Sequence, residues 1–173
     1  GASLLAALTG CSGGPSAIKP PSISASGAAS EAMEIYDKDG DGFIAGPELD
    51  AASGLKAAMK TLDTDSDGKV SEDEIVKRIE AWQASGVGIA KCSGVVTLDG
   101  KPLAGATVTF EPEPFLSDVL KPAVSPTTAM GAISPSIPKE ERVPADAPPG
   151  LMLGFYKVKV SKQEGGSERI PAK

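Results

Sequence analysis

The sequence predicts an α+β protein of two domains, a helical region of residues 31–82 followed by a small antiparallel β-sandwich over residues 93–173. Two observations lead to this prediction. Two acidic twelve-residue loops in the first region are flanked by apolar residues at helical spacing. In the second region, strand-like segments alternate with turns rich in Gly and Pro. A chain of 173 residues has room for two small domains of this kind.

The first eleven residues form an apolar run that ends in small residues and a cysteine. Leu8-Thr-Gly-Cys11 resembles the lipobox of bacterial lipoproteins. The resemblance implies that residues 1–11 are the last part of a signal peptide and that Cys11 carries a lipid anchor to the membrane. A frayed apolar terminus that happens to contain cysteine is the alternative interpretation.

Residues 12–30 consist almost entirely of Ser, Gly, Pro, Ala and Ile, with Lys19 as a charged exception. Such a composition buries too little apolar surface to offset the cost of ordering the chain. It therefore predicts a flexible linker between the anchor and the first domain. No other segment approaches the roughly 20 apolar residues that are needed to span a bilayer.

The two acidic loops run from Asp37 to Glu48 and from Asp63 to Glu74. Each has Asp at positions 1, 3 and 5, Gly at position 6 and Glu at position 12. Ca²⁺ takes roughly 6–8 oxygen ligands, which this pattern supplies, so we expect two Ca²⁺ ions. The predicted ligands of the first loop are Asp37, Asp39, Asp41, the carbonyl of Phe43 and Glu48. Those of the second loop are Asp63, Asp65, Asp67, the carbonyl of Lys69 and Glu74, with Ser71 as a helper.

These loops resemble those of the EF-hand family, and the flanking residues agree with the resemblance. Ile75, Ile79 and Trp82 recur on one face of a predicted helix after the second loop. Position 8 is Ile44 in the first loop and Val70 in the second. The resemblance implies that these two residues join the loops through a short antiparallel strand pair. A pair of Asp- and Gly-rich turns without a metal is the alternative.

The short connection between the loops departs from the usual family pattern. Only fourteen residues separate Glu48 from Asp63, and Gly54 is the expected break between two short helices. Short helices leave little room for the opening motion of a calcium sensor. Pro47 is expected to start the helix that leaves the first loop, because proline is tolerated there. Ala45 offers no side-chain oxygen at position 9, so water is expected to fill that coordination position.

A Gly-rich hinge is predicted over residues 83–92, followed by the β-domain. A turn at Asp99-Gly100 separates two strands, the second alternating through Ala106 and Val108. The segment "GVVTLDGKPLAGATVTFEP" and Gly154–Val160 resemble the two ends of carboxypeptidase-regulatory-like domains, which are transthyretin-like β-sandwiches. Between these ends, residues 112–150 hold nine prolines, which are expected mainly in loops and edge strands. We also expect the natural chain to continue beyond its last residue.

Composition excludes several functions. The chain contains no His, which excludes histidine-dependent zinc hydrolases and Ser-His-Asp catalysis. Residues 31–82 carry 14 acidic and 6 basic side chains, whereas the remainder carries 9 acidic and 11 basic ones. Without a basic patch, nucleic-acid binding is not expected. The sequence therefore predicts a protein that is not an enzyme.

The expected function is Ca²⁺ binding, mainly structural, in a lipoprotein anchored to the bacterial envelope and facing outward from the cytoplasm. The combination of segments resembles envelope lipoproteins of planctomycete-type bacteria. An envelope protein is the expected partner of the β-domain. The alternative function is a Ca²⁺-dependent protein–protein interaction or adhesion module, either sensor-like or dockerin-like. Dockerins also duplicate short calcium loops, but they typically carry Asp at position 12, where this chain has Glu.

Overall fold

The structure, a computed structural model, describes residues 18–164 and 167–170. Within these ranges α-helices combine with small antiparallel sheets, and the predicted α+β class is confirmed. The helices are α1 (Ala25–Tyr36), α2 (Pro47–Ala51), α3 (Ser53–Leu62) and α4 (Glu72–Ala84). The strands are β1 (Phe43–Ile44), β2 (Val70–Ser71), β3 (Gly94–Val95), β4 (Thr97–Leu98), β5 (Lys101–Pro102), β6 (Thr107–Pro112), β7 (Ala123–Pro126), β8 (Ala132–Ile133), β9 (Tyr156–Glu164) and β10 (Ser167–Ile170).

The first helix begins earlier than predicted. The side chain of Ser24 caps α1 by accepting a hydrogen bond from the Gly27 N–H, so residues 25–30 are helical and not linker. Ala28, Ala29 and Ala32 are buried on this helix. Small side chains of this kind allow close packing, which the composition alone did not indicate. The predicted signal peptide of residues 1–11 and lipid anchor at Cys11 lie outside the described residues.

The connection between the two acidic loops differs from the prediction in one respect. Pro47 is the first residue of α2, as expected, but the break between α2 and α3 falls at Ala52. Gly54 lies inside α3 and is buried. Glycine is needed at this position because Glu113 packs directly against its backbone, as described below, and not because the chain turns there. None of the helices in the described part of the chain is long and apolar enough to cross a bilayer.

The larger sheet has the strand order β10-β9-β6-β7, and all its pairs are antiparallel. Val108 of β6 lies opposite Val160 of β9 and is fully buried. The Asp99-Gly100 turn joins β4 to β5, and both residues have positive φ, which the hairpin prediction requires. Two-stranded ladders, β3–β8 and β4–β5, accompany this sheet among the described residues.

One apolar core joins the helical half, residues 25–84, to the β-half, residues 94–170. The Trp82 ring contacts the Phe155 ring edge-on at a centroid distance of 4.7 Å. Phe155 in turn lies 6.1 Å from Phe115, and Phe115 lies 6.4 Å from Tyr36 of α1. These rings connect α4, the segment before β9, the segment after β6 and α1. Buried residues of both halves therefore belong to a single hydrophobic cluster.

Residues 83–92, which were predicted to be a hinge, are held at several points. The side-chain amide of Gln83 donates a hydrogen bond to the Ile23 carbonyl at 2.5 Å. Ala90 and Leu151 exchange two backbone hydrogen bonds of 2.8 and 3.0 Å. A Cβ on Gly88 would lie only 2.3 Å from the Ile18 carbonyl oxygen, so the backbones pack directly on each other there. The structure thus corrects the hinge to a packed connection.

Glu113 lies at the junction of the two halves and is completely buried. One oxygen of its carboxylate accepts a hydrogen bond from the Tyr36 hydroxyl at 2.5 Å, and the other accepts the Gly54 N–H at 2.7 Å. The Lys157 ammonium lies 3.5 Å from this carboxylate. Burial and the Glu113 carboxylate raise the pKa of Tyr36 well above its ordinary value, so the phenol keeps the proton that it donates.

The Gly54→Ala variant should be destabilised by about 2 kcal/mol or more, since the added methyl group overpacks a buried ion contact. Its Cβ would lie 2.7 Å from Glu113 Oε1 and 3.0 Å from the Tyr156 backbone nitrogen. Helix propensity alone predicts the opposite sign, because alanine is favoured over glycine within a helix. Urea unfolding should be compared with that of Gly94→Ala, whose Cβ would make only ordinary contacts. Equal stability of the two variants would contradict the packing at Glu113.

Candidate metal centre

The two acidic loops lie side by side and are joined by the β1–β2 pair. Phe43 lies opposite Ser71, and Ile44 lies opposite Val70. Both Ile44 and Val70 are fully buried, so each loop contributes one apolar side chain to the core beneath the pair. The predicted strand pairing at position 8 of each loop is confirmed.

Backbone reversals in the loops bring the acidic side chains together. Gly42 and Gly68, at position 6 of their loops, have φ values of 86° and 83°, as the sequence pattern predicts. Position 4 also has positive φ in both loops. It is Gly40 in the first loop, with φ 73°, but Ser66 in the second, with φ 63°. The second loop therefore contains a strained residue that the first loop lacks.

The first loop brings together the carboxylates of Asp37, Asp39 and Glu48, whose donor oxygens lie within 4.8 Å of one another. The backbone holds the first and last of these side chains. Asp37 accepts the N–H groups of Gly40 and Gly42 at 2.7 and 3.0 Å. Glu48 reaches back across the loop, where its two oxygens accept the N–H groups of Lys38 and Ala45 at 2.7 and 3.0 Å.

Asp41, the third predicted carboxylate of this loop, lies outside that trio. Its Oδ1 accepts the Phe43 N–H at 2.9 Å, and its other oxygen lies 3.7 Å from the Lys69 ammonium. The same ammonium lies 4.6 Å from the centre of the Phe43 ring. Lys69 belongs to the second loop, so this contact partly neutralises the first loop and links the two loops. No sequence pattern predicts that contact between the loops.

In the second loop the clustered carboxylates are Asp63, Asp65 and Asp67, again with donor oxygens within 4.8 Å. The Asp67 N–H lies 3.2 Å from an oxygen of Asp63 and from one of Asp65. The Gly68 N–H donates to the other Asp63 oxygen at 3.0 Å. This trio contains positions 1, 3 and 5 of the loop, whereas the first loop clusters positions 1, 3 and 12.

Glu74 is held outside the second trio by a capping box. One of its oxygens accepts hydrogen bonds from the backbone and hydroxyl of Thr64, and the other from the backbone and hydroxyl of Ser71. Ser71 in turn caps α4 by accepting the Glu74 N–H. The hydroxyl predicted as a helper ligand is thus committed to a helix cap in this structure.

Hydrogen bonding lowers the pKa of both position-12 carboxylates. The N–H groups of Ala45 and Lys38 lower the pKa of Glu48 below its ordinary value. For Glu74, burial raises the pKa, but the combined hydrogen bonds from Ser71 and Thr64 outweigh burial and lower it. Metal ligands must be deprotonated to bind, so both side chains have the charge state that a cation requires at neutral pH.

The donor set fits a hard divalent cation. The ligating groups are carboxylate oxygens, and a carboxylate can accept about four hydrogen bonds or metal contacts, so each carboxylate of the two trios retains capacity after the bonds described above. Glu74 already accepts four hydrogen bonds and would have to exchange some of them for a metal contact. The chain has no His, and the carboxylate trios of the described residues include no Cys, so soft or nitrogen-preferring transition metals have no matching ligands there. The sites therefore suit Ca²⁺.

Ser66→Gly should raise the free energy of unfolding by about 0.5–1 kcal/mol. The left-handed backbone of Ser66 costs about 1–2 kcal/mol in the folded state, and glycine removes this cost. That gain exceeds the loss of stability that follows from the greater conformational entropy of glycine in the unfolded chain. The matched control is Ser30→Gly on the exposed face of α1, which should lower the stability by about 0.5 kcal/mol. Urea unfolding in one buffer measures both. A loss of stability in Ser66→Gly equal to that in Ser30→Gly would show that Ser66 is not strained.

A comparison with known protein families supports this assignment. The family described as EF hand matches residues 55–77, which cover most of α3, the second acidic loop and the start of α4. No curated protein and no solved structure matches the chain. The matched family and the clustered carboxylates together indicate calcium binding. The match thus supports an EF hand at residues 55–77, around the second acidic loop.

Proposed function

We propose that the chain binds two Ca²⁺ ions, one in each loop, and that the ions act mainly as structural elements. The observation that carries the proposal is the presence of two carboxylate trios, Asp37/Asp39/Glu48 and Asp63/Asp65/Asp67, each with donor oxygens within 4.8 Å. Three carboxylates this close repel one another, and a divalent cation offsets that repulsion. The proposed ligands remain the predicted sets of both loops, with Asp41 and Glu74 turning inward on binding.

A structural role for the ions is favoured over a sensor role by the packing of the flanking helices. Sensor EF-hands respond to Ca²⁺ by opening a helix pair and exposing an apolar groove. Here α1 is fixed to the β-half through Tyr36, and α3 is fixed through Gly54. Trp82 of α4 packs on Phe155 in the shared core. Opening would break these contacts, so an ion that holds the helices in place suits this arrangement better.

We further propose that the protein is a lipoprotein, not an enzyme, tethered through Cys11 to a bacterial envelope and exposed outside the cytoplasm. The support is the lipobox resemblance and the absence of His from the sequence. Extracellular calcium modules function with dissociation constants as weak as about 10⁻⁴–10⁻³ M, so weak sites would still fill there. The β-half, with its resemblance to carboxypeptidase-regulatory-like domains, would serve as a spacer or as a contact for an envelope protein.

A calorimetric Ca²⁺ titration of the chain and of two variants tests the proposal. The parent should bind two ions, whereas Glu48→Gln and Glu74→Gln should each weaken one site about tenfold or more, or about 1.4 kcal/mol. At position 74 the amide oxygen of glutamine can still accept the Ser71 N–H and retain the capping box, but its amide nitrogen cannot accept the Thr64 N–H. Urea unfolding of the Ca²⁺-free variants therefore measures the structural part of each effect. The matched control is Glu80→Gln on the exposed face of α4, which should bind like the parent.

Each outcome of the titration distinguishes between the functions. Two sites of weak affinity, together with a gain in helix content when Ca²⁺ binds, would support a structural role for the ions. Two micromolar sites on an already folded chain would instead favour the Ca²⁺-dependent interaction module. A Glu74→Gln variant that binds both ions as tightly as the parent would overturn the ligand assignment in the second loop, and the absence of any heat would overturn calcium binding altogether.

A further inference from the structure

A cavity of about 300 Å³ lies between the helical half and the β-half, apart from the two acidic loops. Its walls come from α3, α4, Phe110 of β6, residues 151–156 and Val158. Ala58 of α3, Trp82 of α4 and Phe155 are among the residues that line it, and the Trp82 and Phe155 rings contact each other. Val158, which also lines the cavity, is 48% exposed, so an apolar edge faces solvent. The cavity is open to solvent, and a largely apolar lining with a few polar groups is a feature that small-molecule sites share.

The lining includes one cationic side chain whose polar groups are not fully satisfied. Arg78 of α4 lines the cavity, and its guanidinium carbon lies 5.4 Å from the centre of the Trp82 ring. Its Nε is buried and has no hydrogen-bond partner in the described part of the chain. Leaving a buried charged donor unpaired costs more than leaving a neutral one unpaired. A partner that supplied a carboxylate would therefore stabilise this group.

We propose that the cavity is a binding site for a small apolar carboxylic acid, with an alkyl or aryl body. The carbon body would lie against Trp82 and Phe155, and the carboxylate would pair with the guanidinium of Arg78. Arginine suits this role because its planar fork of N–H donors matches the two oxygens of a carboxylate. The proposal is independent of calcium binding at the loops.

Fluorescence provides a direct test, because Trp82 is the single tryptophan of the chain and lines the cavity. Octanoate, below its micelle concentration and in a buffer with constant Ca²⁺, should change the emission of Trp82 in a saturable manner. Octanol has the same alkyl body without the charge, and it should bind about tenfold more weakly, a difference of about 1.4 kcal/mol. Equal affinity of the two probes, or no saturable change with octanoate, would overturn the proposal without requiring any variant.

Three variants locate the site. Arg78→Met keeps much of the apolar stem but removes the guanidinium, so octanoate should bind about tenfold more weakly while octanol binding stays unchanged. Lys77→Met is the matched control on the same helix, since Lys77 is exposed and lies outside the cavity, and it should bind octanoate like the parent. Ala58→Leu should reduce binding of both probes by filling the cavity. Binding of octanoate to Arg78→Met with parental affinity would overturn the proposal.

Discussion

The carboxylate of Glu113 is removed from water and bound by donors from three different elements. Tyr36 ends α1, Gly54 lies in the first turn of α3, and Lys157 lies on β9. A buried carboxylate is stable only when its oxygens are satisfied, and removal of one partner from such a site typically costs about 3–5 kcal/mol. The positions of the two helices relative to the sheet are therefore constrained by one side chain.

The contacts of Glu113 also constrain the acidic loops, because each loop directly follows a helix that contacts Glu113. Tyr36 directly precedes Asp37, the first residue of the first loop, and α3 ends at Leu62, directly before Asp63. The start of each loop is therefore fixed by a helix, α1 or α3, that donates a hydrogen bond to Glu113. Because the apolar core is also shared, we expect the loops and the sheet to fold as one cooperative unit. A ligand that binds only the folded state of such a unit stabilises all of it.

Local sequence patterns predicted the local features well. The β1–β2 pairing, the turn at Asp99-Gly100 and the start of α2 at Pro47 each depend on residues that lie close in sequence or on a repeated loop pattern. The α+β class followed from the same patterns. The turn and the helix start are set by backbone conformation, which a single sequence displays directly, whereas the β1–β2 pairing was implied by the resemblance of the loops to EF-hands.

The features that the sequence did not predict depend on contacts between distant residues. Glu113 is 77 residues from Tyr36 and 59 from Gly54 in sequence, and no pattern within a short window encodes such a pairing. The sequence therefore predicts a helix break at Gly54, whereas in the structure its lack of a side chain allows the approach of Glu113. The position of Glu113 between two prolines, after an alternating strand, was the available signal of an unusual environment. The early start of α1 was missed because its alanines are buried by tertiary packing.

Hydrogen exchange of the sheet amides, measured with and without Ca²⁺, tests the central claim most directly. Val108 and Val160 lie opposite each other in β6 and β9, in the half of the molecule that lacks the acidic loops. If the loops and the sheet form one cooperative unit, Ca²⁺ at about 100 times its dissociation constant should slow their exchange at least about 100-fold. Slower exchange confined to residues 25–84, with unchanged rates at Val108 and Val160, would contradict the account.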